Sequence, residues 1–202
     1  MTGHYPVNLV LEGRKVLVVG GGRVATHKAR RLAESGAAIT VVAPEVTDEL
    51  AAIAALVLRR PYEPGDIDGH WLVVSATGDP AVDGAVHADG EATRTWVNSA
   101  DDPVHCSVTL PAVARRGDIT VALSTGGKSP AMATWLRRRA EAELDEAHVT
   151  LLQLLSERRE ALRSEGTPTE GLAWQEVLDG GLLDLVRAGR IAEARERLQA
   201  CL

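Results

Sequence analysis

Short runs of β-branched and aliphatic residues alternate with stretches of helical periodicity along the first half of the chain. The predicted strands cover residues 16–19, 39–42, 57–58, 71–76 and 95–98, and the predicted helices cover 25–34, 46–55 and 81–92. Strands that alternate with helices form parallel sheets with helices on both faces. The pattern therefore predicts a doubly wound α/β domain, whose ligands bind beyond the carboxyl ends of its strands.

The pattern changes after Pro111. Residues 119–124 form one more predicted strand, a turn follows over 125–130, and a long helix is predicted over 131–144. From residue 147 onward apolar residues recur at helical spacing, with breaks at 164–171 and at Gly180-Gly181. Apolar stripes of this kind usually pack within a helical bundle or against a partner subunit.

The first predicted strand runs directly into three glycines, in the stretch KVLVVGGGRVA at residues 15–25. Gly20, Gly22 and Ala25 match the fingerprint G-x-G-x-x-G/A, which provides a tight turn, close approach to a pyrophosphate and helix packing on the strand. The start of the following helix offers free N–H groups and the positive end of its dipole. Three glycines also occur in ordinary loops, but the complete βαβ unit around them favours a dinucleotide site.

The end of the second predicted strand bears on which dinucleotide binds. The acidic residue expected about 20 residues after the glycines is missing, because Val42 and Ala43 stand there and Glu45 is the nearest acid. No arginine directly follows Val42 to contact a 2′-phosphate. The sequence therefore favours NAD over NADP.

Composition excludes several classes of protein. The net charge of −6 argues against nucleic acid as the main partner. Cys106 and Cys201 match no disulfide framework, and neither they nor the six histidines have metal-ligand spacing, so no structural metal is predicted. We find no signal-peptide pattern and no apolar run of the ~18 residues that cross a membrane. We expect a soluble cytoplasmic protein.

Two polar segments that follow predicted strands are candidates for chemistry. In residues 98–103, Asp101 and Asp102 precede Pro103, and such paired acids often only form a turn. Beside a coenzyme cleft, a carboxylate there would instead accept a proton as hydride leaves the substrate. In residues 124–130, STGGKSP, Ser129 and Pro130 fit a helix cap, but the loop also fits an anion site. The first glycine of a Walker A loop is missing, so nucleotide hydrolysis is not predicted.

Residues 113–139 carry six basic side chains against one acidic side chain. A solvated basic face is the ordinary explanation of such a run. The segment is nevertheless where we expect a small, strongly anionic substrate to bind.

Five motifs in order resemble the precorrin-2 dehydrogenase/sirohydrochlorin ferrochelatase family, which is the N-terminal module of siroheme synthases. They are VVGGGRVATHKARRL, TVVAPE, WLVVSAT, VNSADDP and CSVTLPAVARRGDITVALSTGGKSP, and they span roughly the first 140 residues. The resemblance implies NAD-dependent oxidation of precorrin-2 to sirohydrochlorin and, in some members, insertion of Fe²⁺ to form siroheme. It also implies a homodimer with a Rossmann domain over 1–112, a dimerisation and substrate-binding segment over 113–146 and a helical domain over 147–202. The methyltransferase module of full siroheme synthases is not expected in a chain that ends at Leu202.

The same resemblance assigns site residues. Asp101 matches the catalytic aspartate, which acts as general base in oxidation and as proton acceptor or metal guide in chelation. The implied coenzyme residues are Gly20, Gly22, Arg23, Val24, Pro44, Glu45 and Thr77. The implied substrate residues are Thr125, Gly126, Lys128, Arg115 and Arg116. Thr125 takes the place of a serine that is phosphorylated in some relatives, and the chain departs from the family at Gly78, usually acidic, and Val108, usually aromatic.

Precorrin-2 carries acetate and propionate groups, which a basic cleft formed in part by Arg115, Arg116 and Lys128 would attract. His105 is expected to be a loop residue and Cys106 a small buried hydrophobe, although both could assist metal delivery. Two other functions stay open at this point. One is an NAD-dependent oxidoreductase for another anionic substrate. The other is a non-catalytic NAD-sensing module whose helical tail binds a partner.

Overall fold

The protein, seen here as a computed structural model, is described for residues 4–100 and 102–201. The polypeptide forms two compact units that divide between Leu110 and Pro111. The finer division of the second part at residue 146 stays a prediction.

Among the described residues of the first unit, five strands form a parallel sheet. The strands are β1 (Lys15–Val19), β2 (Ala38–Val42), β3 (Leu56–Leu58), β4 (Leu72–Ser75) and β5 (Trp96–Ser99), in the order β3-β2-β1-β4-β5. The helices are α1 (Arg23–Ala33), α2 (Asp48–Ile53) and α3 (Pro80–Thr93), and a short 3-10 turn spans Pro103–His105. The predicted Rossmann-type sheet is confirmed. Strand order reverses at β1, which lies between β2 and β4, and ligands of such sheets bind beside this reversal.

Both faces of this sheet are covered. Val16 and Val18 of β1 belong to one buried cluster together with Ala25 and Ala29 of α1. Leu17 and Val19, which alternate with them, belong to a second cluster that includes Val86 of α3 and Val97 of β5. Because side chains alternate across a strand, consecutive apolar residues in β1 fill both cores.

The second unit begins with a β-hairpin and continues as helices. The hairpin pairs β6 (Ala112–Arg116) with β7 (Ile119–Leu123) in antiparallel register. The helices are α4 (Pro130–Glu143), α5 (Glu146–Ser164), α6 (Trp174–Val177), α7 (Leu183–Arg187) and α8 (Ile191–Cys201), with a π-helical segment over Leu178–Leu182. The sequence prediction of a single strand in this region was wrong, because the residues of β6, AVARR, only weakly favour a strand without their pairing to β7.

The apolar stripes of the tail pack together, as the periodicity predicted. Leu151 and Leu154 of α5 share a buried cluster with Leu182, Val186 and Leu198. The predicted break at Gly180-Gly181 is also present, since Gly181 lies at φ +86° inside a kink. Among the described residues, no helix combines the length and apolar character needed to cross a membrane.

Asp145 joins two helices of the second unit. Its side chain caps α5 by accepting from the backbone N–H of His148 at 3.2 Å, and Nδ1 of the His148 ring lies 2.7 Å from the same carboxylate oxygen. Nε of Arg187, at the end of α7, donates to the same carboxylate at 2.9 Å. The hydrogen bonds from His148 and Arg187 lower the pKa of Asp145 to about 2.

We expect Asp145→Asn to destabilise the second unit above about pH 4 and to have little effect near pH 2. An acid whose pKa is lowered by folding contributes stability above its unfolded pKa, and that stability is lost as pH falls through the folded value. Urea unfolding at several pH values, followed by tryptophan fluorescence, measures the effect. Asp118→Asn, an exposed acid of the same unit, is the control. An equal difference between wild type and Asp145→Asn at pH 2 and pH 6 would contradict the assignment.

Candidate coenzyme and substrate sites

The predicted coenzyme residues lie on three loops that meet at the carboxyl edge of the sheet. The backbone N–H of Gly20 donates to the Val42 carbonyl at 2.9 Å, which joins the loops after β1 and β2. The N–H of Ala76, just after β4, donates to the carbonyl of Val19 at 2.8 Å. The turn that holds Thr77 therefore borders the glycine loop.

The three glycines have three different environments. Gly20 lies at φ +110°, and a Cβ there would stand 2.3 Å from the carbonyl oxygen of Ala76. A Cβ on Gly21 would stand 1.8 Å from the backbone oxygen of Glu45. A Cβ on Gly22 would meet no atom within 4 Å, so this residue faces open space. The fingerprint pointed to Gly20 and Gly22 but not to Gly21, whose constraint comes from a loop 24 residues away in sequence.

The start of α1 is suited to an anion. Gly22 is the N-cap, and within the described residues no side chain caps this helix and no acidic residue lies in its first turn. Arg23 and Val24 are exposed at this end, whereas Ala25 is fully buried against the sheet. The open space at Gly22 and the uncapped N–H groups fit a dinucleotide pyrophosphate.

The turn after β4 is held by a buried acid that sequence reasoning missed. Asp83 of α3 accepts hydrogen bonds from the hydroxyls of Ser75 and Thr77, the latter at 2.7 Å. Thr77 also accepts from the backbone N–H of Asp79 at 3.0 Å. The hydroxyl of Thr77 thus fixes the shape of the turn that borders the glycine loop. An acid within an alanine-rich helical pattern gave no local sign of this role.

Sequence reasoning also missed an arginine near the loop after β2. Arg59 directly follows β3, and its Nη1 donates to the carbonyl of Val46 at 3.5 Å. Arg59 is 17 residues beyond Val42 in sequence, so the residues that directly follow β2 do not reveal it. Since β3 lies next to β2, the sheet places this guanidinium beside the loop that contains Pro44 and Glu45.

Asp101, the predicted base, lies outside the described residues, but the loop on both sides of it is ordered by many hydrogen bonds. The backbone N–H of Ala100 donates to the Ser75 carbonyl at 2.8 Å. The Asp102 carboxylate accepts from the N–H of Val104 at 3.1 Å and from Nδ1 of His105 at 2.6 Å. The His105 bond lowers the pKa of Asp102. The turn interpretation of this segment is confirmed for Asp102.

Cys106 closes the same loop. Its Sγ accepts from the backbone N–H of Ser99 at 3.2 Å and donates to the carbonyl of Ser99 at 3.3 Å. Burial raises the pKa of this thiol. Cys106 is partly buried, but its hydrogen bonds make it more than the small hydrophobe that was expected.

Asn98, at the end of β5, links this loop to α1. Nζ of Lys28 donates to its Oδ1 at 3.0 Å, and its Nδ2 donates to the carbonyl of Val108 at 3.0 Å. The side chain of Asn98 is almost fully buried. Asn98 thus joins the start of the loop to its end at Val108, and Lys28 ties Asn98 to α1.

In the second unit, the segment after β7 forms the helix cap that the sequence predicted. Ser129 is the N-cap of α4, its hydroxyl accepts from the N–H of Met132 at 3.1 Å, and Pro130 follows in the first turn. The Thr125 hydroxyl accepts from the Ser129 N–H at 3.1 Å. Gly126 lies at φ +61° with open space around it, and Lys128 is exposed. An anion site on this loop stays a prediction.

The two predicted substrate arginines of β6 have different surroundings. Arg115 is exposed, opposite Thr120 in the hairpin. Arg116 donates to the Leu144 carbonyl at 3.2 Å and lies 3.4 Å from the Glu146 carboxylate. Arg116 therefore contributes to joining the hairpin to the α4–α5 connection. Within the part of the chain that the structure describes, no three His, Cys, Asp or Glu side chains are placed to hold a metal ion.

An open glycine loop before an uncapped helix, at the reversal point of a parallel sheet, defines a Rossmann domain of the NAD(P)-binding class. The sequence model described as putative NAD(P)-binding matches residues 7–112, and that of the central part of the sirohaem biosynthesis protein matches 116–142. The chain is 40% identical over 204 residues to a siroheme synthase of Pseudomonas entomophila (strain L48), covering 98% of this chain and 44% of the relative. A siroheme synthase of Saccharophagus degradans is 34% identical, with 98% and 45% coverage.

A solved structure of SirC, precorrin-2 dehydrogenase, superposes with a TM-score of 0.74 at 31% identity, and the match covers 98% of each chain. The chain belongs to the precorrin-2 dehydrogenase and siroheme synthase family, as its motifs indicated. It spans less than half the length of the curated siroheme synthases that it matches.

Proposed function

We propose that this protein oxidises precorrin-2 to sirohydrochlorin with NAD. The observation that carries the proposal is the open, uncapped start of α1 at Gly22, on the same sheet edge where β5 enters the loop that contains residue 101. β4 alone separates the two strands that lead to these loops. A coenzyme on one loop and a carboxylate on the other would serve one reaction.

The coenzyme residues we propose are those implied by the family resemblance. Gly20, Gly22, Arg23 and Val24 would hold the pyrophosphate at the start of α1. The other members of the proposed set are Pro44, Glu45 and Thr77. NAD, when bound, supplies the hydride acceptor. The contacts of Thr77 with the buried Asp83 support this set, because they keep the turn after β4 in a fixed shape beside the loop.

We propose that the carboxylate of Asp101 accepts the proton that the substrate loses together with the hydride. The neighbouring acid supports this assignment. Both oxygens of Asp102 already accept hydrogen bonds within the turn, from Val104 and from His105. Asp101 is the acid of this pair that is left for chemistry.

For the second unit we propose a substrate site formed by Thr125, Gly126, Lys128, Arg115 and Arg116. Basic side chains there would attract the carboxylate rim of a tetrapyrrole. The exposure of Arg115 and Lys128 supports their part, whereas Arg116 already binds the Leu144 carbonyl. We also propose that the chain is a homodimer. Exposed Met132 and Trp135 on α4, the latter 52% exposed, favour a covered face.

The test is anaerobic incubation of the protein with precorrin-2 and NAD, with NADP in parallel, and each with and without Fe²⁺. We expect the absorption spectrum of sirohydrochlorin to appear with one reduced nicotinamide per product. The Fe²⁺ samples decide separately whether siroheme forms. NAD binding without turnover would instead favour a sensing module, and turnover restricted to other anionic substrates would favour a different oxidoreductase.

A further inference from the structure

Backbone and side-chain hydrogen bonds hold the described residues of the loop after β5 at several positions. On one side of residue 101, the backbone N–H of Ala100 donates to the carbonyl of Ser75. On the other side, the Asp102 side chain caps the 3-10 turn. The Cys106 thiol spans the loop, since it contacts the backbone of Ser99 and the carbonyl of Asp102, the latter at 3.4 Å. The described residues on both sides of residue 101 are therefore held by hydrogen bonds.

His105 is the member of this loop that also meets α3. Its Nδ1 donates to Asp102 at 2.6 Å, while the opposite edge of its ring, at Nε2, lies 3.6 Å from the position that a Cβ on Gly84 would take. Its ring centroid is 5.5 Å from that of His87, one turn further along α3. A Cβ at Gly84 would thus be in ordinary van der Waals contact with the imidazole, which shows that the ring lies against α3.

We infer that His105 is a positioning residue for the oxidation step. Its imidazole bridges Asp102 and α3, and it would thereby hold the described residues next to Asp101 in place. The inference rests on the proposed function for the identity of the reaction. A proton acceptor works only when it is held at the right place, and a misplacement of about 1 Å costs roughly 10²-fold in rate. The effect of His105 should therefore fall on kcat rather than on binding.

The decisive comparison is His105→Ala against His105→Asn, because an asparagine amide nitrogen can replace Nδ1 as donor to Asp102. We expect His105→Ala to lower kcat at least ~10-fold, with the KM for precorrin-2 and the Kd for NAD within about twofold of wild type. His105→Asn should recover most of the loss. His27→Ala, an exposed histidine of α1, is the matched control. Thermal unfolding of each variant is measured alongside.

A second measurement needs no substrate. In a Cys201→Ser background Cys106 is the single thiol, and its rate of reaction with a disulfide reagent reports how tightly the loop is closed. We expect faster reaction in His105→Ala and a nearly wild-type rate in His105→Asn. If His105→Ala does not fold, Asp102→Asn, which loses one of its two acceptor oxygens, replaces it in both measurements.

Two results would overturn the inference. The first is wild-type kcat and thiol reactivity in His105→Ala. The second is an equal loss in the Ala and Asn variants, with KM raised as much as kcat is lowered. A wild-type protein without turnover would contradict the proposed function instead, and the thiol kinetics would still decide whether His105 holds the loop.

Discussion

Replacement of Asp101 by asparagine is expected to lower kcat for precorrin-2 oxidation by about 10²–10⁴-fold, the usual contribution of a positioned general base. Asparagine has nearly the same size and keeps an acceptor oxygen, but it cannot take up a proton. The affinity for NAD should stay within about twofold, because no coenzyme contact is assigned to this side chain. Single-turnover kinetics of nicotinamide reduction and calorimetric titration with NAD measure the two quantities.

Asp68→Asn is the matched control for this experiment. Asp68 is an exposed acid in the segment before β4, at the opposite edge of the sheet from the glycine loop, and its substitution should leave turnover unchanged. Turnover of Asp101→Asn within threefold of wild type would remove Asp101 from the reaction. A loss of activity with equally weakened NAD binding would instead indicate that the loop had changed shape.

The features that were predictable from the sequence are those with a local physical cause. Uninterrupted apolar runs, such as Val16–Val19, are typical of strands buried on both faces, and they located the parallel sheet correctly. Helix signals worked in the same way, since Ser129 and Pro130 define the start of α4 by their own side chains. These interactions involve residues that are close in sequence, so they produce patterns that can be recognised in the sequence itself.

The features that were missed depend on contacts between distant parts of the chain. Asp83 looks like an ordinary helical acid until α3 is packed beside the end of β4, where Ser75 and Thr77 bind it. His105 looks like a loop residue until Gly84 of α3 is brought against its ring. β6 was missed for a different reason, because pairing with β7 stabilises a segment whose own residues only weakly favour a strand.

Gly21 and Gly22 are adjacent in sequence, and we expect their alanine variants to fail in different ways. Gly21→Ala should destabilise the protein by about 1–3 kcal/mol or more, because its Cβ would overlap the Glu45 carbonyl oxygen and neither backbone is free to move. Gly22→Ala should cost at most about 1 kcal/mol, since its Cβ meets no protein atom and only a weaker N-cap results. Denaturant unfolding measures both values.

Coenzyme binding should separate the same two variants in the opposite sense. A Cβ on Gly22 enters the space through which a pyrophosphate approaches the first N–H groups of α1, so the Kd for NAD should rise about tenfold or more, equivalent to at least ~1.4 kcal/mol. If Gly21→Ala remains folded at low temperature, its Kd for NAD should rise less than that of Gly22→Ala. The reason is that Gly21 is buried against the loop of Glu45 and does not face the coenzyme space. Wild-type affinity in a stable Gly22→Ala protein would show that the coenzyme does not use the start of α1. That result would remove the physical basis for assigning Arg23 and Val24 to the site.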